Sequence, residues 1–111
     1  MDSTALSPAA FQILVALVQG PRHGYAIMKD VAEATNGEVR LNPGTLYTTI
    51  RKLVEDGFIR ETGAPARDAD SDERRRYYAI TPIGRRVAKG EFERLRGVVE
   101  RAAKLMLKAA R

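Results

Sequence analysis

Between Asn42 and Gly57 the chain reads NPGTLYTTIRKLVEDG, and its side-chain chemistry divides between two sides of a helix. Thr45, Thr48, Thr49 and Lys52 project from one side. Leu46, Ile50, Leu53 and Val54 fall in one apolar arc on the other, at roughly 100° per residue. Hydroxyls donate and accept, so they suit base edges, whereas an ammonium only donates and suits phosphate. Glu55 and Asp56 sit at the far end of the helix, where they would not oppose a phosphate at its start. Asn42 is a good N-cap, Pro43 suits the first helical position, and Gly57 supplies a left-handed stop. Such a helix can enter a major groove N-terminus first, its N–H groups and dipole toward phosphate. Tyr47 and Arg51 flank the polar face; the Tyr47 hydroxyl either meets a phosphate or its ring covers the core edge. An ordinary amphipathic helix with a solvated face looks the same in isolation, so the surrounding elements decide.

Other chemistries find few residues to carry them. His23 is the only histidine, so a multi-histidine metal site or a histidine-based triad has no partners; packing or capping is its expected role. Asp68, Asp70 and Asp72 imitate the start of a calcium loop. The glycine required at position six is Glu73, however, and the closing glutamate is Ala79, so no metal site is expected. Arg74, Arg75 and Arg76 form a dense basic run suited to phosphate. With no metal cluster, nucleophile motif or phosphate-cradling glycine loop, neither an enzyme nor a cofactor is expected.

The chain has 111 residues, enough for one domain and an appended element. Its formal charge of +5 is uneven, because residues 63–111 carry 13 basic and 7 acidic side chains. That surplus is compatible with nucleic acid. Cysteine is absent, which excludes disulfide and thiol chemistry. No apolar run approaches the ~20 residues of a bilayer span, and Met1 to Ser7 lacks signal-peptide character. The expectation is a soluble cytoplasmic protein that does not engage membranes.

The elements that must position the threonine face follow in order. Ser7-Pro8 opens a first helix to about Gln19, apolar through Phe11, Ile13, Leu14, Leu17 and Val18 and ended by Gly20-Pro21. A second helix is expected from about Gly24 to Thr35, with Tyr25, Met28, Val31 and Ala32 facing inward and Asn36-Gly37 closing it. Val39 and Leu41 suggest a brief extended segment before the central helix. Phe58-Ile59-Arg60 and Arg76-Tyr77-Tyr78-Ala79-Ile80 read as strands flanking an exposed tip, GAPARDADSDERR. Three helices followed by a hairpin make a winged helix-turn-helix. The fold class is thus mainly α with a small β-hairpin, with residues 1–80 forming the winged domain.

Residues 81–111 form a long C-terminal helix opened by Thr81-Pro82. Ala88, Phe92, Leu95, Val99, Ala102, Met106 and Ala109 follow one another at alternating spacings of four and three, a heptad seam. About 30 residues make roughly 45 Å of helix, longer than the winged domain is wide, so a second copy is expected to cover the seam. Phe92, Leu95, Val99, Ala102 and Met106 are the expected dimerisation residues. Ile83, Val87 and Gly90 lie off the seam and are expected to dock the helix on its own domain. Gly84, Gly90 and Gly97 each weaken it by up to ~1 kcal/mol relative to Ala. Arg85 and Arg86 stand in its first turn, against the dipole.

HGY at His23 to Tyr25, PGTLY at Pro43 to Tyr47, L-x-x-D-G at Leu53 to Gly57 and RYYAIT-x-x-G at Arg76 to Gly84 occur in an order and spacing that strongly resembles the PadR family of transcriptional regulators. The resemblance covers about residues 6 to 90, and the single C-terminal helix is similar to the family's short-tailed branch. It implies a dimeric winged-helix repressor that binds operator DNA and releases it on a signal or a small-molecule effector. It also favours phosphate contact for Tyr47, and it permits a flat apolar or aromatic ligand at a dimer interface near Phe11, Phe92 and Val99. The wing tip departs from the family in carrying Asp68, Asp70, Asp72 and Glu73, which leaves Arg74, Arg75 and Arg76 as the expected wing contacts.

The expected partners are therefore a pseudo-palindromic duplex and a second copy of the chain. The alternative is a winged-helix protein-interaction module or anti-regulator that does not itself bind DNA, for which the acidic tip is the main support.

Overall fold

A computed structural model describes residues 6–65 and 76–109 of the chain. The elements run α1 (Pro8–Leu17), β1 (Arg22–His23), α2 (Gly24–Ala34), α3 (Pro43–Glu55), β2 (Ile59–Thr62), β3 (Tyr77–Ile80) and α4 (Pro82–Ala109). The sheet is antiparallel in the order β1-β3-β2, with Arg22 opposite Tyr78 and Glu61 opposite Tyr78 on the other side. Helices packed on one small sheet form the winged helix-turn-helix expected from the chain's punctuation.

That punctuation acts through specific hydrogen bonds. The Ser7 hydroxyl accepts from the Ala10 amide at 3.1 Å, and Asn42 Oδ1 accepts from the Thr45 amide at 2.8 Å. His23 caps α2, its Nδ1 accepting from the Ala26 amide at 3.1 Å. At the end of α3, Gly57 takes φ 79°, its amide donating to Val54 and that of Phe58 to Leu53. This pair of bonds satisfies carbonyls that the helix itself leaves open.

α1 runs through the middle of the body. Its Ile13, Leu14 and Leu17 are fully buried against Ile27 and Val31 of α2, Leu46, Ile50 and Leu53 of α3, and Ile59 of β2. Two arginines reach its C-terminal carbonyls: Arg22 Nε donates to Ala16 O at 3.0 Å and Arg85 donates to Val18 O at 3.2 Å. Positive charge at a helix C-terminus opposes the negative end of its dipole. Arg85 is therefore a clamp between α4 and α1.

Several local expectations are revised. β1 has too few residues to show a period; it exists because β3 offers a free edge across from it. Tyr25 is 62% exposed, and Ile27 takes the inward position, four residues before Val31. The Tyr25 ring instead lies nearly parallel to His23, with centroids 6.4 Å apart. Val39 and Leu41 form no strand, but both are half-buried against the core, and the Thr35 hydroxyl holds the Val39 amide at 3.0 Å.

The docking of α4 also differs. Ile83 is exposed and Gly90 meets nothing; the contact is made through Gly84, Ala88 and Glu91, with Val87 half-buried. Gly84 lies so close to the Phe58 carbonyl that no Cβ fits between them. Beside it the Thr81 hydroxyl donates to Gly57 O at 2.7 Å and accepts from the Gly84 amide at 3.0 Å. Glu91, the one buried charged residue among those described, takes two hydrogen bonds from Arg94, at 3.0 and 2.6 Å. Those bonds hold its carboxyl below the usual carboxylate range against the opposing effect of burial.

Candidate nucleic-acid interface

The polar side of α3 faces outward as expected. Thr45, Thr48, Arg51 and Lys52 are exposed and Thr49 is half-buried, while Leu46, Ile50 and Leu53 hold the helix to the core. Val54, expected in the apolar arc, lies at its edge and is exposed. Lys52 Nζ stands 3.5 Å from Asp56 Oδ2, one turn further along.

Tyr47 is part packing and part surface. A Cβ at position 24 would collide with its phenol, so Gly24 is the residue that lets the ring lie over the start of α2. This explains why HGY and PGTLY belong together: the recognition helix and the helix before it meet through a glycine and a tyrosine. The ring's other side is open, and it lines a cleft of about 240 Å³ between α3 and the sheet.

That cleft gathers Tyr47, Arg51 and Glu55 from α3 with Glu61 of β2, Arg76 and Tyr78. Arg76 is exposed, with Nε 3.7 Å from Glu61 Oε2. Burial, and then the Glu61 charge, push the Tyr78 phenol above its ordinary value, and the Arg76 charge opposes this. Glu61 and Tyr78 are site residues that the chain's patterning did not reveal. Their alternation with neighbours marks a strand but says nothing about which face meets α3. Arg74 and Arg75, with Asp68, Asp70, Asp72 and Glu73, lie outside the described residues.

The far end of the molecule carries a second unfilled surface. Phe92, Val99 and Met106 are exposed, Met106 to 70%, while Leu95 and Ala102 are half-buried. Ala88, the first residue of the seam, is buried in its own domain. Val98, Leu105 and Leu107 are exposed beside the seam and widen the apolar arc of the helix end. Where α4 leaves the body, Phe11, Val15, Val18, Ala88 and Phe92 form an apolar groove of about 340 Å³ edged by Arg85 and Lys89. Among the described residues no group of acids, histidines or cysteines could hold a metal ion, and no helix is long and apolar enough to cross a membrane.

A capped, outward-facing helix carried by a three-helix body and flanked by a sheet defines the winged helix-turn-helix class. Within it, residues 13–90 match the Transcriptional regulator PadR-like family, and the chain belongs to that family. Its members are transcriptional regulators, generally DNA-binding, and not enzymes. Among solved structures, the chain is similar to a transcriptional regulator from Clostridium thermocellum, at 28% identity and TM-score 0.68 over 89% of each chain. It is similar in fold to a PadR family transcription regulator from Clostridium difficile R20291, with TM-score 0.77 at 22% identity over 90% of this chain and 99% of that one. RosR of H. salinarum gives TM-score 0.67 at 25% identity, covering 98% and 97%. An uncharacterized 37.1 kDa transposon protein of Streptomyces fradiae is 35% identical over 83 residues, and the chain spans 21% of its length.

Proposed function

We propose that the chain is a homodimeric, sequence-specific regulator that represses transcription by occupying operator DNA in the cytoplasm. The observation that carries this is the exposed threonine and lysine face of α3, set beside Arg51, Tyr47 and Arg76 with its N-terminal turn open to solvent. Thr45, Thr48 and Thr49 read base edges; Lys52, Arg51, Tyr47 and the Arg74 to Arg76 run engage phosphates.

The exposed seam of α4 supports dimerisation through that helix. Phe92 and Met106 stand equally far from Val99 along the exposed seam, so an antiparallel partner centred there covers it end to end. A two-fold axis near Val99 brings Phe92 of one copy to the partner's Met106. The wide apolar arc made by Val98, Val99, Leu105 and Met106 calls for a groove rather than a flat strip, and the groove at Phe11, Val15 and Phe92 supplies one. A small apolar or aromatic effector that entered there would compete with the partner helix, which accounts for release of the operator.

The test is anisotropy with duplexes selected from a random pool. Thr45→Ala should weaken binding to the selected duplex about tenfold, at the lower end of the ~1–3 kcal/mol carried by a good base contact, and leave a random duplex almost unaffected. Equal losses on both duplexes would remove base reading from this face.

A further inference from the structure

Two cations beside the polar face of α3 are held by acids of the same chain. Lys52 is paired with Asp56 at 3.5 Å, and Arg76 with Glu61 at 3.7 Å. Neither pair is buried, and exposed ion pairs contribute little to folding. A phosphate, on the other hand, would repel both carboxylates. The α3–wing cleft thus sets Arg51 and Arg76 against Glu55 and Glu61, where a surface built only for affinity would carry cations alone. Glu61 is fixed in this role by the sheet. Its partner in register is Tyr78, which lines the same cleft as Arg76, so guanidinium, carboxylate and phenol stand together at the cleft edge.

Resting on the DNA-binding reading above, we infer that Glu61 restrains DNA affinity by competing with phosphate for Arg76. On a random duplex α3 has no base contacts to hold the backbone in the cleft, so the carboxylate keeps the guanidinium. On the operator, base contacts seat α3, the backbone is held at the wing, and a phosphate takes the place of Glu61. Non-specific affinity is almost wholly electrostatic, whereas operator affinity also has base contacts. Breaking the pair therefore lowers operator affinity by the full pair energy, while a random complex forgoes only a weaker phosphate contact.

Salt-dependent binding of Glu61→Gln to a random duplex and to a selected one tests this, with Arg76→Gln and the double variant completing a cycle. Glu61→Gln should raise random-duplex affinity by about fivefold, the upper range for an exposed ion pair, and steepen its log–log salt slope by about one phosphate contact. Operator affinity should rise by at least as much with its salt slope unchanged, because the wild-type operator complex already breaks the pair and forms the phosphate contact. In the Arg76→Gln background the same change should have little effect, because the group competed for is gone. A gain that persists without Arg76 means ordinary repulsion by Glu61, and it overturns the inference; so does an unchanged random-duplex affinity. In both cases DNA binding itself stands. If the wild-type chain binds no duplex at low salt, the DNA-binding reading fails first and the inference with it. Thermal melts of each variant check that this exposed position leaves folding intact.

Discussion

Replacing Gly84 and Gly90 by alanine in turn makes one chemical change at two positions of one helix, with opposite expected signs. Helix propensity alone predicts stabilisation of up to ~1 kcal/mol at each. At Gly90 a Cβ meets nothing within 4 Å, and the position lies far around α4 from the seam, so the gain should appear undiminished. At Gly84 the Cβ would run into the Phe58 carbonyl oxygen and stand 2.9 Å from its carbon and from Ile80 Cγ1. The obstruction is main chain and has no rotamer to yield. It is also pinned, since the Thr81 amide donates to the same oxygen at 3.0 Å and the Thr81 hydroxyl to Gly57 O at 2.7 Å. Relief requires α4 to back away and loosen both bonds. Overpacking of this kind costs ~1–3 kcal/mol, and lost hydrogen bonds add about 1 kcal/mol each, so a net destabilisation of ~2 kcal/mol or more is expected after the propensity gain. For a domain near this size, that lowers the melting temperature by roughly 10 °C. Melts followed by circular dichroism at equal protomer concentration measure both variants. Gly84→Ala melting at or above wild type would refute the close approach as the reason for glycine there.

Three further outcomes are expected. Asn42→Ala removes the α3 cap and should destabilise the fold by ~1 kcal/mol in urea titrations while weakening every DNA complex, since the first turn of α3 frays. Glu91 has a lowered folded pKa, so its stabilisation is complete above the usual carboxylate range and is lost as pH falls through its folded value. Glu91→Gln should therefore flatten the acid side of the stability profile, which urea midpoints measured from pH 3 to 7 would reveal. Met106→Glu places a charge in the proposed α4 contact and should shift sedimentation from dimer toward monomer without changing the melting behaviour of the winged body.

What could be read from the chain were its local instructions. Asn42, Pro43 and Gly57 act within a turn of themselves, and a threonine face opposite an apolar arc is a property of one helix. Each element whose reason lies elsewhere in space was hidden. β1 depends on an edge that β3 provides more than 50 residues later. Gly84 looked like a weakness of α4 because the Phe58 carbonyl that requires it belongs to another segment. The seam was legible as an apolar stripe, and it was its length rather than its period that pointed to a second copy. Ala88 belongs to that stripe and packs on its own domain, while Met106, in the same phase, remains exposed. Period reports that a face is covered and not by whom. The dyad of acid and arginine in the cleft was unreadable for the same reason, since Glu61 and Arg76 are brought together only by the register of β2 on β3.

The place where α4 is fixed has a consequence for how the proposed dimer would work. Its first turn is bonded to Gly57 and packed on Phe58, the two residues that end α3 and lead into β2. Arg85 and Ala88 tie the next turn to α1, on which α3 itself rests. A rotation of α4 against a partner therefore cannot be absorbed between α4 and the recognition helix; it carries α3 and the wing with it as one body. In the proposed dimer the separation of the two α3 helices would be set by the α4 crossing, and operator half-sites near one helical turn apart, roughly 34 Å, would accept only a narrow range of it. A ligand in the groove at Phe11, Val15 and Phe92 touches that crossing without touching any residue that faces DNA. On the proposed reading, release of the operator would need no change in the threonine face, only a change in how far apart two intact copies of it are held.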